Sequence, residues 1–578
     1  MKKDAPKTNA DPEMITAGAA LLSRLRRLGV DYVFANSGTD FPPIIEGLAE
    51  ASQKNMELPK TVTIPFESAA ISMAHGYYLA SGKPQAVMVH TNVGLANCTM
   101  GAINAAADNV PMLLMSGRTP TLEKGRLGAR TVPIGWGQEM FDQTSLVREA
   151  CKWDYELRFP EQVYDALDRA HGIATSTPQG PVYMSLPREV LCEKAPAAGA
   201  ETRPQFQGAK SAPLPHDIAH AAKLLAEADN PVIFAQRGAG NEAGFAALER
   251  MASRWGIPVS QYWAVQLAMA TDHPMAAGPD PLPLLEKADV ILVIDSLAPW
   301  APDAGEPHPD CKVIQLGADP LHGRCPVRNF RSDLSLPGEV GPALLALASA
   351  LEGYADEYRD RNGKRAEAIA KINAVNQASR IASAESTRDN AALGKAWVSM
   401  TLAKTLGDRD ASVFSELGCQ LPFMTLKDPQ SWFDGPHSGG LGWGFPAAMG
   451  YKLAQPKRTV VATMGDGCYM FSNPVACHQI AEAMNISMLV IVLNNREWGA
   501  VRKSVLDIYP EGYAAKANNV PLTSLSPSPD FVQVAKASRA WARHVSSADQ
   551  FEIALAEALV HIEEGRGLAM IEVSISPD

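Results

Sequence analysis

At 578 residues, with 46% hydrophobic and 20% charged residues, the chain has the balance of a globular protein and room for about three to four domains. A net charge of −11 without a long basic block argues against nucleic acid and anionic membrane as partners. No run of about 18 apolar residues occurs, the start MKKDAPKTNADPEM lacks the apolar core of a signal peptide, and the eight scattered cysteines form no Cys-x-x-Cys pair. Zinc ribbons and disulfide frameworks are thereby disfavoured, and a reducing cytoplasm is the expected location.

Residues 1–13 read as a flexible arm. The next stretch, 14–195, alternates helical patterns with short β-rich runs: AGAALLSRLRRLGV has helical apolar spacing, DYVFAN is a strand, and AVMVHT and MLLMSG are buried strands around a small-residue helix, LANCTMGAINAAADN. PVYMSLP closes this unit before a linker rich in Ala, Pro and Gln, 195–215. A second unit, 216–345, repeats the grammar with PVIFAQRGAG, PVSQYW, ADVILVIDS and CKVIQLGADP. Residues 346–392 read as a helical connector. A third unit, 393–578, holds SVFSELG, TVVATMGDG, SMLVIVLNN and LAMIEVSIS. Strand, helix, strand in that order predicts three doubly wound parallel-sheet α/β domains, which bind ligands beyond the carboxyl ends of their strands.

The segment GDGCYMFSNPVACHQIAEAMNISMLVIVLNN, 465–495, places an acid just after one apolar run and two amides just after the next. If the two strands are adjacent, Asp466 and Asn495 share a rim, and a carboxylate, an amide oxygen and a free carbonyl make a hard-oxygen set for Mg²⁺ or Ca²⁺. Gly465 and Gly467 allow close backbone approach, and a helix beginning in SNPVACHQIAEAM would turn its positive end toward a phosphate. Each piece alone is a common turn; together they describe a metal-bridged diphosphate site.

Gly-Asp-Gly followed by Asn-Asn, with these strands, resembles the thiamine-diphosphate-dependent enzymes that act on 2-oxo acids, a group that includes benzoylformate decarboxylase, pyruvate decarboxylase and acetolactate synthase. The resemblance covers nearly the whole chain, in the order pyrimidine-binding, central and diphosphate-binding domain. The spacer is about two residues longer than in benzoylformate decarboxylase, in the SNPVACH region. The resemblance implies Mg²⁺ on Asp466, Asn495 and the carbonyl of Glu497, in a loop, NNREWGAVR, that includes Trp498. Gly467 and Cys468 then stand beside the diphosphate, and SELGC, with Gly418 and Cys419, lines its other side.

The same resemblance makes Glu67, in TIPFESAAISMAHGYYLASGKP, the glutamate that hydrogen-bonds the aminopyrimidine ring. His90, 23 residues later, matches an active-site histidine of benzoylformate decarboxylase, and an imidazole suits proton transfer near neutrality. Thr39, in NSGTDFPPIIEGL, takes the place of a serine that faces the thiazolium; Asp40 beside it reads at least as well as a solvated turn. In HSGGLGWGFPAAMG, Leu441 is the bulky residue under the bent cofactor and the carbonyl of Gly439 accepts from its amino group. His437 there reads equally as substrate contact or turn cap. Gln138 lies near a glutamine of the synthases, whereas the paired first-domain histidines of pyruvate decarboxylases are absent. His75 and His478 read as structural. The central domain's Gly-x-Gly in PVIFAQRGAGN is weak evidence for a nucleotide, and Trp300 is expected near the active-site mouth.

What the resemblance implies is a thiamine diphosphate and Mg²⁺-dependent lyase that decarboxylates a 2-oxo acid, with ligation of the product to an aldehyde acceptor as an optional further step. Its site would lie between two subunits, with a homodimer as the minimum and a homotetramer as the expected assembly. An acetolactate-synthase-like transferase and a 2-hydroxyacyl-CoA lyase remain as alternatives. A non-catalytic binding protein on this fold would lack Glu67 or Asp466. A nicotinamide-dependent dehydrogenase would need a Gly-x-Gly-x-x-Gly turn followed by an acid, which the sequence does not show.

Overall fold

A computed structural model describes residues 13–390, 392–517 and 519–576, so the arm assigned to 1–13 falls, but for Glu13, outside the described residues. The chain divides into two compact units, one ending at Ala209 and the other beginning at Lys210. The first carries one six-stranded parallel sheet; the second carries two parallel sheets, of five and six strands. No described helix is long and apolar enough to cross a membrane.

In the first unit the strand order is Lys60–Thr63, Tyr32–Asn36, Ala86–Val89, Leu113–Arg118, Val182–Pro187, Asp154–Glu156. The runs DYVFAN, AVMVHT, MLLMSG and PVYMSLP all became strands; the outer strands KTVT and DYE carry mixed burial and no continuous apolar run to reveal them. The chain starts in the middle of the sheet, lays its second strand to one side, then crosses back to extend the other. The crossing opens a crevice above the ends of Tyr32–Asn36 and Ala86–Val89, which pair in parallel with Asn36 opposite Val89. A short antiparallel pair, Met14–Thr16 with Lys194–Pro196, ties the two ends of the unit together.

Helix Ala17–Arg27 carries a fully buried Arg24, which grips an equally buried Asp168 of helix Val163–Ala174 through two bonds of 2.6 and 2.7 Å. Its third nitrogen donates to the carbonyl of Thr202 at 2.6 Å, and Asp168 also accepts from the backbone N–H of Gln205 at 2.7 Å. Every charge there has a partner, as burial demands.

In the second unit the last sheet repeats this strand order, and the five-stranded central sheet shares its first four positions. The central sheet runs Val259–Ser260, Pro231–Ala235, Val290–Ile294, Lys312–Gly317, Leu334–Pro337, and the last sheet Trp432–Asp434, Ala411–Glu416, Thr459–Gly465, Leu489–Asn494, Ala569–Ser574, Trp541–Val545. One continuous apolar core joins them, reaching from Ile218 to Ile575. Thr271 crosses between the two, donating to the carbonyl of Met424 at 2.8 Å and accepting from the N–H of Leu426 at 2.9 Å.

The connector of 346–392 is largely the 27-residue helix Arg359–Glu385. Arg365 on this helix donates to the carbonyls of Ala228, Trp255 and Gly256, at the carboxyl ends of two central helices whose orphan acceptors it satisfies. Trp300, expected at the active-site mouth, is instead 3% exposed and packs edge-on against Phe234 and Phe330. It is core, in one buried cluster with Val232, Ile291 and Val293 of the central sheet.

Arg24→Ala should destabilise the first unit by about 3–5 kcal/mol, since Asp168 is left as an unpaired buried charge. Hydrogen exchange in helix Ala17–Arg27 against urea reads this directly. Arg26→Ala, which breaks a partly exposed pair with Asp31, should cost under about 1 kcal/mol.

Candidate active site

The crevice of the first sheet collects the first group of expected site residues. Glu67 is the first residue of helix Glu67–Ser81 and is half-buried. Its Oε1 accepts from the side-chain amide of Asn36 at 2.9 Å and its Oε2 from that of Asn97 at 3.0 Å. Both partners are side-chain amides, one on each oxygen, so the carboxyl is held in one orientation. A Cβ on Gly94, in the facing helix Thr91–Ala107, would lie 3.4 Å from Glu67 Oε1, which shows how closely that helix passes.

His90 follows the strand Ala86–Val89 directly, and Thr39, Gln138 and Arg188 line the same small pocket. Gln138 meets His90 Nε2 at 3.0 Å. The carbonyl of Thr39, whose side chain is exposed, accepts from Arg188 at 3.1 Å. Asp40 is not a solvated turn: it is 7% exposed, and its carboxylate contacts His90 Nδ1 and accepts from the Thr91 N–H at 3.3 Å. The sequence offered only an acid after a strand here, a pattern shared by any turn.

In the last sheet the chain leaves Ala411–Glu416, adds Trp432–Asp434 on one side and Thr459–Gly465 on the other, so a second crevice opens above Glu416 and Gly465. Asp466 lies there, and the next strand over, Leu489–Asn494, is its neighbour through the pairing of Gly465 with Leu493. Strand adjacency thus puts the acid and the amide pair at one rim. The two asparagines divide the work. Asn494 is buried and donates to Glu572 at 2.8 Å, tying two strands, whereas Asn495 is only half-buried and its Oδ1 accepts from the Glu497 N–H at 3.1 Å. The Glu497 carbonyl accepts from Gly499 N–H at 2.9 Å.

Asp466 is 2% exposed; its Oδ1 accepts from the Gly467 N–H at 3.0 Å, and Oδ2 is buried without a hydrogen-bond partner. Burial pushes its carboxyl up to about 6, against the Gly467 N–H, while the nearby Arg496 N–H donates to Asn494 Oδ1 at 3.0 Å. An orphaned buried carboxylate oxygen beside an amide oxygen and a carbonyl fits a hard divalent cation such as Mg²⁺. Among the described residues no group of three or more His, Cys, Asp or Glu side chains could hold a metal, so a cation here would draw on amide and carbonyl oxygens.

The helix expected to start in SNPVACH does form, as Pro474–Ala483 capped by Asn473, but a shorter one, Asp466–Phe471, starts immediately after the strand. Gly467 is required there: a Cβ would fall 2.2 Å from the ring of Trp498. Trp498 also meets Phe471 edge-on at 5.8 Å. Gly418 passes equally close to Thr463, where a Cβ would lie 2.4 Å from its carbonyl oxygen. Cys419 and Cys468 are 3% and 2% exposed, and burial pushes the Cys419 thiol up to about 11 and that of Cys468 well above the usual range. A ligand at those positions would meet backbone, not sulfur.

The loop expected under the cofactor is held by a carboxylate that sequence reasoning quoted but did not single out. Glu416, 4% exposed, accepts from the N–H groups of Gly442 at 2.6 Å and Gly444 at 2.7 Å. Burial pushes it up to about 7, against those donors. The loop thus fixed carries exposed Gly439, at φ +72°, and half-buried Leu441. A Cβ on Gly442 would lie 2.6 Å from the Phe471 carbonyl, so the loop rests on the helix that begins at Asp466. His437 Nε2 meets the carbonyl of Trp263 in the central domain at 2.9 Å, and burial lowers its pKa. His75 and His478 are 1% exposed and lowered by burial to about 3 and about 4, and His478 bonds Tyr469.

Comparison with known proteins matches three family descriptions along the chain. The N-terminal TPP binding domain of thiamine pyrophosphate enzymes matches residues 15–146, their central domain 218–347 and their C-terminal TPP binding domain 417–573. Benzoylformate decarboxylase of Pseudomonas aeruginosa is 26% identical over 94% of this chain and 97% of its own length. Acetolactate synthase of Mycobacterium bovis is 24% identical over 91% of this chain and 83% of its own. The structure of a thiamine diphosphate-dependent 4-hydroxybenzoylformate decarboxylase from Rhodococcus jostii superposes with a TM-score of 0.78 at 22% identity, covering 98% of this chain and all of that one. With all three domains matched in order and both strand-end crevices furnished as described, the chain belongs to the thiamine pyrophosphate enzymes.

Proposed function

We propose that this enzyme cleaves the carbon–carbon bond next to the 2-oxo group of a small 2-oxo acid, releasing carbon dioxide, and that it can pass the remaining acyl unit to an aldehyde. The orphaned Oδ2 of Asp466, at a rim shared with Asn495, is the observation that carries the cofactor half of this reading. Asp466, Asn495 and the Glu497 carbonyl would hold Mg²⁺. Backbone around Gly418 and Gly467 would meet the diphosphate, Trp498 would pack behind it, and Leu441 with the Gly439 carbonyl would shape the ring end. Bound thiamine diphosphate supplies a carbon nucleophile and an electron sink.

The rest is the work of side chains. Glu67, oriented by two amides, would hold a proton at the aminopyrimidine nitrogen, and His90 would move protons to and from the substrate's carbonyl oxygen, with Thr39 beside it. We read the domains as pyrimidine-binding at 14–195, central at 216–345, connector at 346–392 and diphosphate-binding at 393–578. Glu67 and Asp466 belong to different compact units, and the resemblance sets such pairs across two subunits, which makes a homodimer the minimum and a homotetramer the expected assembly. The free cysteines fit a cytoplasmic enzyme. A second reading, transfer of the acyl unit to another 2-oxo acid, draws on Gln138 standing against His90 and on the acetolactate synthase among the relatives.

A panel of 2-oxo acids with thiamine diphosphate and Mg²⁺, with and without an aldehyde, tests the reading. Carbon dioxide from one acid supports it; acetolactate from pyruvate alone favours the transferase; no carbon dioxide from any acid, with the cofactor bound, removes both.

Glu67→Gln should retain cofactor binding but slow carbon dioxide release by about 10²–10⁴-fold. Unchanged proton exchange at the thiazolium would sink its assigned role.

Asp466 gives a pH signature. Its carboxyl rises from 3.8 to about 6 on folding, so without a cation the folded state loses stability as pH climbs through that window. Mg²⁺ binds the ionised form, so Mg²⁺-dependent cofactor affinity should be full above about pH 6 and fall as pH drops below it. Fluorescence titrations at about pH 5 and about pH 7.5 measure this. In Asp466→Ala both the metal requirement and the pH dependence should vanish.

A further inference from the structure

We infer that Asp40 is a positioning residue that fixes His90 in one tautomer, with the proton on Nδ1 and the lone pair of Nε2 turned into the pocket. Three observations converge. The first is that the Asp40 carboxylate has two different partners. Oδ2 accepts from the backbone N–H of Thr91 at 3.3 Å, and Oδ1 lies against His90 Nδ1. A backbone N–H can only donate, so the Thr91 contact fixes which oxygen faces which partner. A carboxylate can only accept, so the ring nitrogen facing it carries the hydrogen.

The second is on the opposite edge of the ring. His90 Nε2 meets the side-chain nitrogen of Gln138 at 3.0 Å, an amide donor that requires a lone pair on Nε2. Both contacts therefore demand the same tautomer.

The third is the space and strain committed to this arrangement. A Cβ on Gly117 would fall 1.5 Å from Asp40 Oδ2, and a Cβ on Gly38 2.2 Å from the His90 ring, so both seats exist only because those positions are glycine. Thr91, the residue Asp40 holds through its N–H, has φ +36°, a conformation that L-residues adopt only when their surroundings impose it. It is also the first residue of helix Thr91–Ala107, whose positive end favours a carboxylate beside it. A merely structural acid would need one of these partners, not all of them.

The consequence for chemistry is specific. With Nδ1–H engaged by Asp40, Nε2 is the basic nitrogen exposed to the pocket that Thr39 and Gln138 also line. The ring can accept a proton there and return it without rotating once the Gln138 amide turns its oxygen, in place of its NH₂, toward Nε2, because Asp40 stabilises the protonated ring as well. Asp40 touches neither substrate nor cofactor in this scheme; it acts through His90. That catalytic role rests on the lyase reading above, whereas the state of the ring does not.

Asp40→Asn makes the inference sharp. The asparagine must keep its oxygen toward the Thr91 N–H and so turns its NH₂ toward His90 Nδ1. The ring then has to accept at Nδ1 and carry its hydrogen on Nε2, the reverse of the native state. The experiment is ¹⁵N NMR of the full-length protein labelled at histidine, with His90→Gln assigning the ring. Wild type should show a protonated Nδ1 and an unprotonated Nε2 in the neutral ring, and Asp40→Asn the opposite pair. Alongside this, Asp40→Asn should bind thiamine diphosphate and Mg²⁺ like wild type while losing about 10²–10⁴-fold in carbon dioxide release, the range of a positioned acid–base group.

A wild-type ring protonated on Nε2, or an Asp40→Asn ring unchanged from wild type, overturns the inference. If Asp40→Asn fails to fold, the wild-type spectrum decides alone. If no 2-oxo acid releases carbon dioxide yet the tautomers reverse as described, the role of Asp40 stands and the lyase reading falls.

Discussion

A parallel sheet that begins with an interior strand has to be left in one direction and re-entered to extend the other, and the gap this opens above the strand ends is the constraint on which the rest of the structure depends. The chain meets it three times. In the first sheet the gap lies above Asn36 and Val89, and in the last above Glu416 and Gly465. Backbone groups at these ends have no neighbour to pair with, so polar side chains and ligands gather there. Asn36, Asp40 and His90 occupy the first gap, and Glu416, Gly418 and Asp466 the second.

Much of this was legible in the sequence, and the reasons are particular. Four-to-six-residue apolar runs such as VILVI and LVIVL can be little else than strands buried on both faces, and the alternation of such runs with helical patterns fixes the sheet type. The edge strands KTVT and DYE escaped because they are short and half-polar, which is how edges avoid further pairing, and WFD because three residues make no run to read. The rim of Asp466 and Asn495 was legible because two sequence-adjacent strands are also neighbours in space. Asp40 was not, because its partner is 50 residues away across a strand crossing and no local pattern separates a buried acid from a solvated one. Trp300 was misplaced for the converse reason: an aromatic residue in a Pro-rich loop looks exposed until the loop is seen to fold back on Phe234 and Phe330. The connector read only as a helix, and no local pattern showed that Arg365 turns inward to the carbonyl ends of two helices.

Four carboxylates near these gaps differ in how many of their oxygens are already committed, and the difference sorts their chemistry. Asp40 meets a backbone N–H and an imidazole, and Glu416 two loop N–H groups, so every oxygen has a fixed contact and the groups hold geometry. Glu67 is met by two side-chain amides, one per oxygen, which orient it yet leave a lone pair on each oxygen free. Asp466 alone of the four combines 2% exposure with an oxygen that has no hydrogen-bond partner. Burying such an oxygen costs on the order of 1–3 kcal/mol or more for a charged group, a cost the fold would not retain at a strand end without a return. Protonation lowers that cost, which is the meaning of a carboxyl raised to about 6, but a proton satisfies one oxygen and invites no second ligand. A divalent cation would offset that cost and would draw on the amide and carbonyl oxygens of the same rim. That unsatisfied atom is the observation on which the proposed cation site rests, and the glycine beside it, where a Cβ would meet the Trp498 ring at 2.2 Å, leaves only backbone facing that point of the rim.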